Sequence, residues 1–280
     1  MTPSQTLPET ARIGRTALIV TDLEEMLDFY RRVVGLMVLT RRETTATLGA
    51  GDTPLVVLTR DEDASPRRRE RAGLFHNAFR VPSRTALGAA RERIDEHWRL
   101  DGASDHHVSE ALYLTDPEGN GVEIYSDRPR EQWPRTSDGT VQMGTVPLDL
   151  EDVAAKSDGA ANVPAGTTVG HVHLESTSIQ AAREFYVDSL GLNVQMATSQ
   201  ALFLAAGDYH HHLGVNTWND RSQPSRGRGL AWFEFVVPDQ DALAAVRGRL
   251  DDADVPLTDR SDGLEVAAPD DVSLRLRTER

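Results

Sequence analysis

An internal repeat constrains this sequence more than any other feature does. The pattern of residues 28–36 (DFYRRVVGL) returns at 184–192 (EFYVDSLGL), and the pair 81–82 (VP) returns at 237–238. Both matches have the same offset of 156 residues, which indicates a duplication of the half-chain. The fold must therefore be one that a half-chain can build twice.

Each half contains two shorter units with the order βαβββ. In the first unit, residues 14–20 alternate like a strand, and Asp22 then caps an amphipathic helix that ends at Gly35. Turn residues separate three further strands, predicted at 37–42, 44–49 and 54–59. The pattern restarts at Gly73, so four such modules are expected in the chain.

The other modules follow the same order. The second has predicted elements at 73–81 (strand), 82–97 (helix), 108–114 and 121–126 (strands). The third has them at 168–175 (strand), 178–190 (helix), 193–197, 201–205 and 210–217 (strands), and the fourth runs from 229 through a helix near 239–250 to 276. We predict an α+β fold with an N-terminal domain (12–127), a connector rich in Pro, Gly, Asp and Thr (128–167) and a C-terminal domain (168–277).

The composition limits the chemistry and the partners of the chain. It contains no cysteine, so any metal must be held by nitrogen and oxygen atoms. The formal net charge of −14 makes nucleic acid and acidic membranes poor partners, because both require a basic surface. No stretch approaches the roughly 20 apolar residues of a membrane span, and residues 1–13 do not look like a signal peptide, so we expect a soluble cytoplasmic protein.

Lysine is nearly absent, since Lys156 is the only lysine among 30 basic residues. An acidic, lysine-poor surface is typical of a halophilic protein in a salt-rich cytoplasm, where carboxylates keep the protein hydrated. A GC-rich genome, which replaces lysine by arginine, explains the same composition. The bias concerns the habitat and does not identify a reaction.

Two features of the modules resemble a known family. The helices with Phe-Tyr before Gly-Leu, and the segment 116–125 (DPEGNGVEIY), are similar to those of the vicinal oxygen chelate superfamily, which includes glyoxalase I, bleomycin-resistance proteins and extradiol dioxygenases. Four modules and the run 209–212 (YHHH) most resemble the bacterial and archaeal catechol 2,3-dioxygenases. The resemblance implies paired modules around a divalent metal, with ligands on the first and last strands of a module.

Comparison of the modules on this basis gives three candidate metal ligands, His76, Glu123 and His171, all in the second and third modules. The corresponding positions of the first and fourth modules hold residues that do not bind cations: Arg15, Trp232 and Arg275. If the second and third modules pair, the three ligands form a two-histidine, one-carboxylate face that leaves open positions on iron(II). One site per chain follows, between the halves.

The resemblance is incomplete in one respect. In the ring-cleaving relatives with four modules the site usually lies within the C-terminal half, and this sequence departs from that pattern. Two alternatives to a site between the halves therefore stay open, a site formed across a dimer and a degraded site.

The histidine run 210–212 offers candidates for proton transfer. On a strand, His210 and His212 would share one face and His211 would take the other. A histidine facing the metal is either a fourth ligand, which favours a lyase, or an acid/base for a catechol, which favours a dioxygenase. We expect His212 in the second role, with His210 as its competitor; a solvated strand end is the alternative.

Two further residues are candidates for contact with substrate. His106 lies on a predicted loop from which it could reach the open metal positions, and Tyr113 could hydrogen-bond to a substrate oxygen. His173, two positions after His171, could orient a ligand. Four aromatic residues could line the predicted pocket, although ordinary core packing explains them equally well: Phe75, Phe203, Trp218 and Phe233.

The leading hypothesis is an extradiol dioxygenase that uses Fe(II) to act on a small aromatic diol and O2, with Mn(II) or another divalent metal as the alternative cofactor. The runner-up is a lyase or isomerase like glyoxalase I, and the third is a protein that binds a planar small molecule, as resistance proteins do. Three protein ligands favour oxygen chemistry and four favour the lyase. Whether the chain forms a homo-oligomer stays open.

Overall fold

The computed structural model describes residues 6–137 and 139–279, which form sixteen strands in four βαβββ modules. The first module contains β1 (Arg12–Val20), α1 (Leu23–Phe29), a π-helical turn (Tyr30–Val34), β2 (Met37–Arg41), β3 (Thr45–Ala50) and β4 (Thr53–Arg60). The second contains β5 (Gly73–Arg80), α2 (Arg84–His97), β6 (Gly102–Asp105), β7 (Ser109–Thr115) and β8 (Gly121–Asp127). The connector carries a 3₁₀ turn (Arg130–Gln132) and α3 (Leu150–Ala154).

The second half repeats this arrangement. The third module contains β9 (Thr168–Glu175), α4 (Ile179–Arg183), a π-helical turn (Glu184–Ser189), β10 (Asn193–Ala197), β11 (Ala201–Ala205) and β12 (Leu213–Asn216). The fourth contains β13 (Gly229–Val237), α5 (Gln240–Asp252), β14 (Leu257–Arg260), β15 (Gly263–Ala267), a 3₁₀ turn (Pro269–Asp271) and β16 (Ser273–Thr278). The predicted α+β class with four βαβββ modules is confirmed.

The strands form two eight-stranded sheets, and each sheet combines modules from both halves. One sheet joins the first and fourth modules through antiparallel pairing of β1 with β13, and we call it the 1–4 sheet. The other joins the second and third modules through antiparallel pairing of β5 with β9, and we call it the 2–3 sheet. The predicted pairing of the second and third modules is therefore confirmed. The division into domains 12–127 and 168–277 stays a prediction.

The helices begin where the sequence predicts and end in an unexpected way. The side chain of Asp22 accepts a hydrogen bond from the backbone N–H of Glu25, which caps α1. Both helices that carry the Phe-Tyr pattern finish in a π-helical turn, and the following Gly35 and Gly191 have φ values of 89° and 90°. This left-handed conformation is accessible to glycine without strain, so the repeated glycine ends each helix.

Two elements of the 2–3 sheet differ from the prediction. The edge strand β6 was not expected, because its sequence (GASD) is short and lacks the apolar alternation of a strand. The strand predicted at 210–217 begins only at Leu213, since Gly207, with a φ of 66°, starts a turn before it. Because of this shift, the side chains of residues 210–212 point in directions other than those predicted.

The connector packs against the 2–3 sheet beside its edge strand β6. Val146 forms a bridge with Asp105 at the end of β6, and Met143 packs against a small apolar cluster. The buried side chain of Val153 anchors α3 to the core. No described helix has the length and apolar character needed to cross a membrane.

We predict that Gly121→Ala destabilises the protein. A Cβ atom at this position of β8 would lie 2.1 Å from the carbonyl oxygen of Phe75 and 3.0 Å from the Cβ atom of His76, both on β5. The strands would have to move apart, so we expect the free energy of unfolding to fall by about 1–3 kcal/mol. Gly102→Ala is the matched control, because nothing lies within 4 Å of its added methyl group.

Urea denaturation followed by circular dichroism measures both variants. Equal stability of Gly121→Ala and Gly102→Ala would contradict the tight contact between β5 and β8.

Candidate metal centre

Three side chains from three strands converge at the centre of the 2–3 sheet. The Nε2 atoms of His76 and His171 lie 3.2 Å apart. Each of these nitrogens lies 3.0 Å from Oε2 of Glu123. The structure thus brings together, within one chain, the three residues that the sequence comparison selected.

The register of the central strands explains this convergence. Ala78 on β5 lies opposite Glu123 on β8 and opposite His171 on β9, so the three residues form a row across the sheet. His76, two positions before Ala78, points to the same face. Because Ala78 is small and fully buried, the longer side chains beside it can meet above it.

The protonation states of these residues suit metal binding. His76, Glu123 and His171 are all buried. Burial alone would raise the pKa of Glu123, but the neighbouring His171 and His76 hold it well below its ordinary value. Burial lowers the pKa of His171 to about 4. At neutral pH the carboxylate is therefore ionised and His171 offers a lone pair.

The arrangement fits one face of an octahedral metal ion. Ligand atoms about 2.1 Å from such an ion and at right angles to one another lie about 3.0 Å apart, close to the separations found here. Two imidazoles and one carboxylate form the ligand set of many non-haem iron(II) sites. A cation would also compensate the buried charge of Glu123.

A cavity of about 540 Å³ opens directly in front of the three ligands. Its apolar wall includes Phe75, Met143, Met196, Ala201, Phe203 and Trp218. Three of the four aromatic residues proposed from the sequence therefore line it. Phe233 does not, because it is completely buried on β13 of the 1–4 sheet.

The histidine run takes a different orientation from the one predicted. His211 lines the cavity, whereas Nε2 of His210 contacts Asp127 and Nδ1 of His212 accepts a hydrogen bond from the backbone of Ala206. The expectation that His212 or His210 faces the metal was wrong. The three residues precede β12 and do not alternate as a strand would. The turn signal Gly207-Asp208 was the sequence feature that could have revealed this.

His211 is well placed to act beside the metal ligands. Its ring centroid lies 4.1 Å from that of His171, and its Nδ1 lies 2.8 Å from Nδ1 of His210. Burial lowers the pKa of His211 well below its ordinary value, so the ring is neutral at physiological pH. Among residues 6–137 and 139–279, no protein group hydrogen-bonds to its Nε2.

His106 and Tyr113 form a hydrogen-bonded pair on another wall of the cavity. Nδ1 of His106 donates to the carbonyl oxygen of Gly144 at 2.7 Å, which leaves Nε2 to accept from the Tyr113 hydroxyl at 2.6 Å. Burial and the charge of Glu123 raise the pKa of Tyr113 well above its ordinary value, which keeps the phenol protonated. Both sequence-predicted residues thus reach the cavity.

His173 belongs to the cavity wall. Asn216 accepts a hydrogen bond from the backbone N–H of Trp218, so its amide nitrogen must face Nε2 of His173, at 3.0 Å. Nε2 therefore carries the lone pair and Nδ1 the proton. Phe75, Trp218 and Phe203 meet the His173 ring edge to face, with centroid distances of 5.1, 5.3 and 5.6 Å.

The 1–4 sheet holds no such ligand set at the corresponding positions. Arg275 stacks over the ring of Trp232 at 3.9 Å, and Arg15 pairs with the buried carboxylate of Glu234 at 2.5 Å. Within the part of the chain that the structure describes, the group formed by His76, Glu123 and His171 is the one cluster with the spacing of a metal site.

Comparisons with known proteins agree with this architecture. The family model described as the Glyoxalase/Bleomycin resistance protein/Dioxygenase superfamily matches residues 12–124. A curated Bacillus subtilis (strain 168) protein named catechol-2,3-dioxygenase is 36% identical over 270 residues, which cover 93% of this chain and 95% of that protein.

Solved structures share the fold at lower identity. A candidate dioxygenase from Bacillus subtilis subsp. subtilis str. 168 superposes with a TM-score of 0.64 at 14% identity, covering 98% of this chain and 86% of the other. Glyoxalase I from Zea mays gives a TM-score of 0.60 at 15% identity, with coverage of 96% and 92%. At these identities the likeness concerns the fold alone.

We predict that His171→Ala abolishes metal binding, because it removes the only ligand that comes from the third module. Elemental analysis of purified protein after loading with iron(II) or manganese(II) measures the bound metal. His97→Ala is the control, since His97 lies at the end of α2, outside the centre. Full metal content in His171→Ala would contradict the assignment.

Proposed function

Because this chain belongs to the Glyoxalase/Bleomycin resistance protein/Dioxygenase superfamily, we propose that it is an extradiol dioxygenase that opens the ring of a catechol-type diol beside its two hydroxyl groups. The observation that carries the proposal is a face of three ligands, His76, Glu123 and His171, in front of a cavity of about 540 Å³. A three-ligand face leaves room on the metal for both diol oxygens and for O2. The similarity to the Bacillus subtilis catechol-2,3-dioxygenase supports the same reaction.

The proposed cofactor is iron(II), with manganese(II) as the alternative. When bound, the metal would hold the diol and O2 side by side and let electrons pass between them. The role of His76, Glu123 and His171 is to hold it through one carboxylate oxygen and two imidazole nitrogens. All three are buried, which keeps bulk water from their side of the metal.

We assign the proton transfer to His211. In this proposal, Nε2 of His211 accepts a proton from a diol hydroxyl, because the ring is neutral and this nitrogen is free to bond with a substrate. The proton can later return to the product from the same atom. His211 replaces His212 and His210, which do not line the cavity, in this role.

Tyr113 and His106 would hold the other side of the substrate. The Tyr113 hydroxyl donates its proton to His106, so its oxygen is left to accept a hydrogen bond from the diol. The His106 ring is itself held by Gly144 of the connector. This pair therefore orients the substrate, and we assign no proton transfer to it.

The remaining walls favour an uncharged aromatic ring. Phe75, Phe203 and Trp218 offer ring faces and edges to a planar substrate. Among the described residues, no lysine or arginine lines the cavity, so a carboxylate on the substrate would find no cationic partner. We propose a neutral small aromatic diol as the substrate class.

The ligand set also bears on the runner-up. A lyase like glyoxalase I would need a fourth protein ligand, and the cluster of close ligand atoms in the described chain contains three residues. This supports the dioxygenase over the lyase. A protein that only binds a small molecule would need no metal, so metal content separates that function from the other two.

We predict ring opening by the iron-loaded protein. The chain is purified without oxygen, loaded with iron(II) and given catechol, and O2 is then admitted. Formation of the yellow ring-opened product, followed by absorbance, is the expected result, and His171→Ala should form none. Absence of a ring-opened product with several neutral diols despite bound iron would favour the lyase, and failure to bind iron would favour the protein that only binds a small molecule.

We predict that His211→Asn lowers kcat by about 10²- to 10⁴-fold, the usual contribution of a general acid/base, while metal content is kept. The asparagine amide can still donate to His210, so the change removes chiefly Nε2. His212→Asn is the matched control, because its amide oxygen can still accept from Ala206. Equal kcat values for the two variants would contradict the role of His211.

A further inference from the structure

We infer that Asp127 and His210 are positioning residues that fix the ring of His211 with the lone pair of Nε2 towards the cavity. The inference rests on the proposed function, since it explains how His211 is held ready to take a proton. It follows from the donors and acceptors of one chain of hydrogen bonds.

One face of β8 carries both a metal ligand and the carboxylate that begins this chain of hydrogen bonds. On β8, Glu123, Tyr125 and Asp127 alternate with residues of the opposite face, so all three point to the same side of the 2–3 sheet. Glu123 contributes to the metal centre, and Asp127 at the end of the strand contacts the histidine run. The same strand therefore places a metal ligand and a second carboxylate relative to each other.

The hydrogen bonds determine where the protons lie. A carboxylate only accepts, so Nε2 of His210 donates to Oδ1 of Asp127 at 3.0 Å. In a neutral ring, Nδ1 of His210 is then the acceptor and must receive the proton of His211 Nδ1, 2.8 Å away. Nε2 of His211 is left without a proton, as a base requires.

The carboxylate of Asp127 has a second, permanently charged partner, because Nη1 of Arg80 lies 3.4 Å from its Oδ2. His210 itself is completely buried beside the other imidazoles of the site. A His210 ring with protons on both nitrogens would donate to His211 and place the proton of that ring on its other nitrogen, so the position of the His211 proton distinguishes the two forms of His210.

Aromatic packing keeps the His210 ring in this orientation. The rings of Tyr209 and Trp133 pack against it with centroid distances of 4.0 and 5.3 Å. The Tyr209 hydroxyl donates to Asp127 at 3.0 Å and lies 2.8 Å from the Tyr125 hydroxyl. The carboxylate is therefore itself held by its neighbours, and the ring of His210 has little freedom to turn.

Nitrogen NMR of the imidazoles tests the proton positions directly. Protein with ¹⁵N-labelled histidine is studied without metal and with zinc, which is diamagnetic, and the signals of His211 are assigned by their loss in His211→Asn. We expect the proton on Nδ1 of His211 in the wild type and a growing share of the Nε2–H form in Asp127→Asn. A wild-type His211 protonated at Nε2 would overturn the inference.

Kinetics with the iron-loaded protein provide the second test. We expect Asp127→Asn to lower kcat by about 10- to 100-fold, the range found when a hydrogen-bond partner that orients a metal-binding histidine is removed, with KM and metal content unchanged. Asp127→Glu keeps an acceptor and should recover part of the loss. The matched control is Asp208→Asn, since Asp208 is an exposed carboxylate on the same side that pairs with Arg130 and Arg135.

The two tests distinguish failure of the inference from failure of the proposed function. If Asp127→Asn has the same kcat as Asp208→Asn while His211→Asn is impaired, the dioxygenase stands and the positioning chain is wrong. If the wild type opens no diol ring, the proposed function fails, and the NMR measurement still decides where the His211 proton lies.

Discussion

The antiparallel pairing of β5 with β9 is the contact on which the candidate centre depends. It joins the two halves of the chain along the middle of the 2–3 sheet and sets Ala78 opposite His171. A slip of one residue would turn His171 to the other face, away from Glu123 and His76. The bulge around Phe75 therefore matters too, because it falls between Leu74 and His76 and fixes the register at the ligand.

Much of this arrangement was predictable because duplication leaves a strong signal. The repeated glycines 35 and 191 end equivalent helices, and the common offset fixes which residues occupy equivalent positions. Comparing equivalent positions then separates His171, which can bind a metal, from Arg15, which cannot. The ligand set also needed the family resemblance, which implies ligands on the first and last strands of a module; strand alternation and the comparison of positions then selected the residues.

The sequence could not predict what depends on the exact ends of strands. Extending β12 by three residues, to position 210, turns His210 and His212 towards the cavity in place of His211, so His211 was missed although its neighbours were considered. Contacts made by the connector could not be predicted either. Gly144 accepts a hydrogen bond from His106, but no local sequence pattern indicates that these two residues lie together. Errors of this kind fall on loops and strand ends, where catalytic residues often lie.

Each of the two sheets buries a carboxylate, and the two carboxylates have different partners. At the position equivalent to Ala78, the 1–4 sheet carries Glu234, whose buried carboxylate is paired with Arg15 and Arg277. Burial would raise the pKa of Glu234, but Arg15 lowers it. The positive charges that stabilise this carboxylate therefore come from side chains of the 1–4 sheet. Among the described residues, the ion-pair partners of Glu123 in the 2–3 sheet are the histidines His76 and His171. The duplicated scaffold thus pairs the buried carboxylate of one sheet with arginines and that of the other with histidines, the arrangement that the proposed metal centre would require.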